Sequence, residues 1–197
     1  MIIDYGVGNL YSLKCAMSKI GFHIFIGANK AQIKAADAII LPGVGDFSTA
    51  SKNLAAIKDE IIEQVADGKP ILGICLGMQL LFQKSEEGDG EGLGLLEGEN
   101  VQLPKIVKVP HMGWNTIRIV RENELLDGLQ DDEYYYFAHS YYPTPADKNA
   151  ICAETEYGVT FPSIIAKDNI YGTQFHPEKS GEKGIKLLEN FRRIVIG

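Results

Sequence analysis

What this chain lacks narrows it before any motif is read. It holds no apolar run near the roughly 18 residues a membrane-spanning helix needs. The opening "MIIDYG" has no basic segment and reaches Asp4 at once, so no secretory leader is expected. Cations are scarce: 19 Lys and Arg against 26 Asp and Glu leave a net charge of −7. That balance argues against nucleic acid or an anionic membrane as partner. The three cysteines, Cys15, Cys75 and Cys152, are odd in number and far apart. A disulfide framework is therefore not expected, and the chain reads as reduced and cytoplasmic. No CxxC or HExxH pair suggests a metal site. No repeat or linker divides the 197 residues, and 45% of them are hydrophobic, enough for one core, so a single domain over 1–197 is expected.

What is present changes character midway. "MIID", "FHIFI", "DAIILPGVG" and "KPILGIC" read as strands, alternating with helical patterns over 10–20, 50–68 and 76–84. Leu10, Leu13, Met17 and Ile20 share one face of the first helix. Such alternation predicts parallel strands joined by right-handed crossovers. The unbroken apolar "AIIL" and "PILGI" suit strands covered on both faces. The second half brings closely spaced strand patterns, "TIRIV", "EYYYFA" and "AICAETEYGVTFPSIIAKDNIYGTQF", read as antiparallel extensions of the sheet. "SEEGDGEGLGLLEGE" reads as a loop and "GEKGIKLLENFRRIV" as a last helix. The fold class expected is α/β: an open, mixed, mainly parallel sheet flanked by helices, with antiparallel strands added in the C-terminal half. Ligands of such sheets gather at the carboxyl ends of the strands. "DYGVGN", "LPGVGDF" and the turn at Cys75 should therefore share one rim.

That turn is "GICLG", a thiol version of the G-x-S-x-G nucleophile elbow. A nucleophile at a sharp strand-to-helix turn sits in a strained conformation, and flanking glycines let neighbouring backbone pass close. The helix start at Leu76 aims its positive end at the sulfur, which favours a thiolate. The Leu76 N–H points where an oxyanion would form. The competing reading is a small buried thiol, which is the expected reading for Cys15 and Cys152. Of the four histidines, His23 lies in a strand, whereas His176 sits in "QFHPEKS". Pro177 pushes His176 into an extended conformation, and i and i+2 side chains of an extended chain share a side. Glu178 can then orient the imidazole and support its charge. Cys75, His176 and Glu178 together make a nucleophile, a base and an orienting carboxylate.

"GICLGMQLLF" with a distant "QFHPEKS" resembles the class I, triad-type glutamine amidotransferases. "PGVGDF", "PHMGWN" and "YYYFAHSYY" narrow the resemblance to the glutaminase subunits of imidazole glycerol phosphate synthases, over essentially the whole chain. The resemblance implies glutamine hydrolysis at Cys75, with ammonia delivered to a (β/α)8 cyclase partner and no cofactor. It implies backbone oxyanion donors at Leu76 and Val44, with Gly45 letting the chain pass close to substrate. It places Gln79, Glu87, Ser140 and Tyr141 around bound glutamine, and Asn9 and Trp114 towards the partner. Val44 between Gly43 and Gly45 departs from the richer glycine run of some relatives. A β-branched residue resists peptide reorientation, so the oxyanion hole is expected to stay incomplete until the partner docks. "DYGVGNLYS" also looks like the start of a dinucleotide fingerprint, but Tyr11 stands where the third glycine belongs. The rival readings are a glutaminase subunit of another ammonia-using synthase, a free-standing thiol hydrolase, and a docking subunit whose triad is inert.

Overall fold

The structure, a computed structural model, describes residues 1–6 and 8–197; Val7, inside "DYGVGN", lies outside the described residues. In the first half β1 (Ile2–Ile3), β2 (Ile26–Gly27), β3 (Ile39–Leu41) and β4 (Ile71–Ile74) alternate with α1 (Leu10–Lys19), α2 (Lys30–Ala35), α3 (Phe47–Leu54) and α4 (Lys58–Ala66). α5 (Leu76–Gln79) follows β4 directly. The second half contributes β5 (Lys84–Ser85), β6 (Gly98–Gln102), β7 (His111–Thr116), β8 (Arg118–Ile119), β9 (Tyr134–His139) and β10 (Tyr141–Pro145). Then come β11 (Ile151–Glu156), β12 (Thr160–Lys167), β13 (Ile170–Thr173) and the closing helix α6 (Gly181–Ile196).

An eight-stranded sheet in the order β2-β1-β3-β4-β13-β12-β11-β8 organises the chain. Neighbours from β2 to β13 are parallel, and β12, β11 and β8 add antiparallel. This is the mixed, mainly parallel α/β sheet with antiparallel strands in the C-terminal half that the patterns imply. Adjacent strand residues divide between the two faces, as a pleat requires. Ile2, Ile40, Leu72 and Ile74 pack with Leu13, Met17, Leu187 and Phe191. Ile3, Ile39, Leu41 and Ile71 pack on the other face with Ile33, Phe47, Leu54 and Ile61. Each such side chain, fully buried, contributes about 1.5–3 kcal/mol.

Four features depart from the sequence reading, each for a tertiary reason. The helix expected over 50–68 starts earlier, at Phe47, where the Asp46 carboxylate accepts from Thr49 N at 2.8 Å, and is interrupted at Ile57 (φ −122°, ψ 0°). The interruption lets α4 pack on α2, a six-residue helix too short to register as a period, with Lys34 bridging to buried Glu60 at 3.5 Å. The helix expected over 76–84 ends at Gln79. The carbonyls of Leu80, Leu81, Phe82 and Gln83 instead accept the N–H groups of Leu93, Leu96, Gly94 and Gly92. The glycine-rich segment is thus bonded to this turn and buries Leu93 and Leu96. Finally, "EYYYFA" does not join the main sheet. β12 is already paired on both edges, by β11 and β13. β9 pairs with β7 instead, and β10 with β6, in two smaller sheets. Tyr135 and Phe137 of β9 pack inward on Phe175 and Phe161, leaving Trp114 and Tyr134 outside.

Phe161 is fully buried and meets the rings of Phe137, His139 and Tyr142, whereas Trp114 is 56% exposed. Phe161→Ala is expected to cost about 3–5 kcal/mol by cavity formation, and Trp114→Ala no more than about 0.5 kcal/mol. Denaturant unfolding of the two variants checks this; equal losses would contradict the assignment of core and surface.

Candidate active site

The carboxyl ends of β1, β3, β4 and β13 meet at one rim. At its centre Cys75 leaves β4 with φ +53° and ψ −109°, a conformation that costs a non-glycine residue about 1–3 kcal/mol. Its N–H donates to Thr173 O of β13 at 2.7 Å. The flanking glycines are required by contact. A Cβ on Gly77 would overlap the Leu41 carbonyl of β3, and one on Gly73 would lie 2.5 Å from Gly77 O. Gly43, at the end of β3, has no room for a Cβ against Leu76. The loop carrying Val44 and Gly45, just past β3, therefore runs backbone to backbone against the start of α5. The Val44 side chain is 51% exposed, and Gly45 adopts φ +146°. Gly8, from the first loop, abuts Gly43 and Val44.

Cys75 is 5% exposed. Its Sγ lies 3.6 Å from Ala138 O and receives Gln174 Nε2–H at 3.6 Å. His176 follows β13 and is 1% exposed, and its Nδ1 lies 3.0 Å from Glu178 Oε1. His176 is near-extended (φ −97°, ψ 98°), but Glu178 lies in a 3₁₀ turn over Pro177–Lys179, so a turn and not an extended run brings the carboxylate back to the ring. Tyr136 O accepts from His176 N at 2.9 Å, and Ser180 Oγ donates to His176 O at 2.6 Å while accepting from Tyr136 N at 3.0 Å. β9 thereby clamps the segment. Burial alone would lower the imidazole's proton affinity. Negative charge on Cys75 and the hydrogen-bonded Glu178 carboxylate outweigh it and raise the pKa from 6.5 to about 10, although Nε2 itself has no hydrogen-bond partner among the described residues. The ring therefore carries its proton at neutral pH, next to the Cys75 elbow. Such an arrangement can present a thiolate, hold an imidazolium against it and return that proton to a leaving group.

The other residues singled out by sequence are distributed around this centre. Gln79 is 4% exposed, and its Nε2 donates to Tyr141 O at 2.8 Å and Gln174 Oε1 at 3.3 Å, tying α5 to β10. Ser140 precedes β10, and its carbonyl accepts from Leu103 N at 2.9 Å. Glu87 Oε2 accepts from Phe47 N at 2.8 Å; burial raises its carboxyl's pKa, with that hydrogen bond opposing. Asn9 caps α1 through Ser12 N at 3.2 Å, and Trp114 stands on the outer face of β7, edge-on to Tyr136. Neither belongs to the buried cluster. Sequence reasoning missed Gln174, whose only signal was its place two residues before His176. It also missed Tyr5, buried at 3% exposure, whose hydroxyl donates to Pro42 O beside the Gly43 turn. Among the described residues no group of three or more His, Cys, Asp or Glu could hold a metal ion. No helix of the described residues is long and apolar enough to cross a membrane.

A family profile described as "Glutamine amidotransferase class-I" matches residues 1–194. The chain belongs to the class-I glutamine amidotransferases. Relatives of this amidotransferase include the "Imidazole glycerol phosphate synthase subunit HisH" of Methanocaldococcus jannaschii, 49% identical over 195 residues and covering 98% of both chains. The HisH subunit of Aquifex aeolicus is 47% identical, covering 98% of this chain and 95% of the relative. Among solved structures, "Crystal structure of glutamine amidotransferase" superposes at TM-score 0.79 with 18% identity, covering 100% of this amidotransferase and 99% of that chain. "Structure of PurLQS from Thermotoga maritima" superposes at 0.77 with 20% identity, covering 98% and 96%. At those identities the two structures share the fold.

The raised affinity of His176 has a measurable sign. Its folded pKa lies above the ordinary 6.5, so the stability it supplies is fully present below about pH 6.5 and is lost as pH rises through about 10. In Cys75→Ala the imidazole pKa should fall towards its ordinary value, followed by NMR titration. An unchanged pKa in that variant would contradict the pairing of the two side chains.

Proposed function

We propose that this amidotransferase hydrolyses glutamine to glutamate and ammonia through Cys75, His176 and Glu178, as the glutaminase subunit of an imidazole glycerol phosphate synthase. The observation that carries the reading is the strained Cys75 elbow beside a buried His176–Glu178 pair at 3.0 Å, in a chain whose near-full-length relatives are named as that synthase's HisH subunit. Cys75 attacks the side-chain amide carbon of glutamine. The tetrahedral oxygen takes the N–H groups of Leu76 and Val44. His176 gives its proton to the departing nitrogen, releasing ammonia and leaving a glutamyl thioester. It then takes a proton from water, which attacks the thioester and frees glutamate. Glu178 keeps the ring oriented and supports its charge. Gly45, Gln79, Ser140, Tyr141 and Glu87 surround the amino-acid end of the substrate.

The ammonia goes to a (β/α)8 cyclase, which uses it on a phosphoribulosyl-formimino aminoimidazole nucleotide in histidine biosynthesis. The outer face of the two-stranded β7–β9 sheet supports a partner there. Met112, Trp114 and Tyr134 are 65%, 56% and 62% exposed, an unusual concentration of large apolar groups. Asn9 follows the first loop's Gly8, which abuts Gly43 and Val44. Docking against that loop gives the partner a means to turn the Val44 peptide and complete the oxyanion hole.

Ammonia release from glutamine, with and without the cyclase bound to its nucleotide, tests the reading. Release should be low alone, rise by about 10²–10³ in the complex as one oxyanion donor is restored, and vanish in Cys75→Ala. High release without the cyclase would discard the gating, and no release in the complex would discard the glutaminase. Trp114→Ala should weaken cyclase affinity by about 30-fold or more, as truncated hot-spot aromatics do; unchanged affinity by calorimetry would remove this face from the interface.

A further inference from the structure

Two histidines outside the triad face each other in the core. His111 of β7 and His139 of β9 are register partners, 3% and 4% exposed. His139 Nδ1 lies 2.9 Å from Tyr141 O. A carbonyl only accepts, so that nitrogen carries the proton. His139 Nε2 is then an acceptor, and His111 Nδ1, 3.1 Å away, must donate to it. His111 Nε2 in turn accepts from Asn115 Nδ2 at 3.3 Å. Asn115 is itself oriented, because its Nδ2 also donates to Glu156 O at 3.0 Å and its Oδ1 accepts from Thr116 N at 2.8 Å. Every link points one way, from Asn115 through both rings to Tyr141 O.

The direction holds only while both rings are neutral, and their surroundings keep them so. Burial lowers the His111 pKa to about 4, with Tyr157 and Phe137 stacked on the ring at 3.9 and 4.8 Å. Burial lowers His139 to about 3, and the charges of His111 and His176 push the same way against the Tyr141 hydrogen bond. Tyr141 O receives a second donor, Gln79 Nε2, at 2.8 Å. The carbonyl at the start of β10 is therefore held from α5 on one side and from β7 through β9 on the other.

We propose that His111 and His139 are positioning residues, a neutral one-way hydrogen-bond relay that fixes the Tyr141 carbonyl and with it the edge of β10 that receives glutamine. The inference rests on the glutaminase reading above. The relay starts on β7, whose opposite face carries Met112 and Trp114, so the partner-facing strand and the substrate-facing strand are joined by side chains and not only by the backbone pairing of β7 with β9.

Nitrogen-15 NMR of histidine-labelled protein at pH 7 tests the relay directly. Both rings should be Nδ1–H tautomers; an Nε2–H tautomer or a charged ring at either position would overturn it. Glutamine affinity, measured by calorimetry on the Cys75→Ala protein, tests the consequence. Adding His111→Leu, which removes the donor, should weaken binding by about tenfold, the scale of one buried hydrogen bond. Adding His111→Asn, which keeps a donor at the Nδ1 position, should restore most of it. Equal affinity in a folded His111→Leu protein, verified by its melting curve, would overturn the positioning role. If His111→Leu does not fold, the tautomers in the unmutated chain still decide. No glutamine binding even by Cys75→Ala alone would sink the glutaminase reading, and this inference with it.

Discussion

The site depends on a contact of backbone against backbone. The end of β3, the end of β4 and the first turn of α5 approach so closely that Gly43, Gly73 and Gly77 have no space for a Cβ. That approach brings the Val44 loop against Leu76, and it holds Cys75 at φ +53°. The strain at Cys75 persists because the surroundings over-determine it: β13 accepts its N–H, and the sheet anchors β4 on both edges, through β3 and β13. A side chain on any of these three glycines would move Cys75, the Val44 loop or both.

Around that contact the protein uses histidine in opposite ways. His176 lies beside a thiol and a carboxylate and holds its proton to about pH 10. His139, close enough to feel its charge, is kept neutral to about pH 3. Pairs of titratable groups driven apart by their surroundings divide the work of acid–base chemistry. Here the division is between a ring that carries a proton and a ring that directs a hydrogen bond. Gln174 links the two regions, donating to Cys75 Sγ and accepting from Gln79, which in turn holds Tyr141 O.

Much of this was legible in the residues, and the divide between what was and what was not is physical. The elbow at Cys75 and the neighbouring base were readable because glycine flanks and a His-Pro-Glu run act over a few bonds. The parallel half was readable because fully buried strands are apolar throughout. Long-range hydrogen bonding hid the rest. α5 stops at Gln79, and the carbonyls of the turn that follows accept N–H groups from residues 92–96, far along the chain. β9 leaves the main sheet by pairing with β7 along all six of its residues. His111 and His139 are 28 residues apart and meet only through the β7–β9 register. The turn at Pro177 gave the expected His176–Glu178 contact by a different backbone route from the extended one.

The central claim is that Cys75, and no other thiol, is a nucleophile built for glutamine. The most direct measurement is peptide mapping after exposure to an electrophilic diazoketone analogue of glutamine, in the presence of the cyclase partner. The account predicts a covalent adduct on Cys75 alone, suppressed by excess glutamine, with Cys15 and Cys152 unmodified. Adducts that appear first on Cys15 or Cys152, or labelling of Cys75 that glutamine does not suppress, would contradict it.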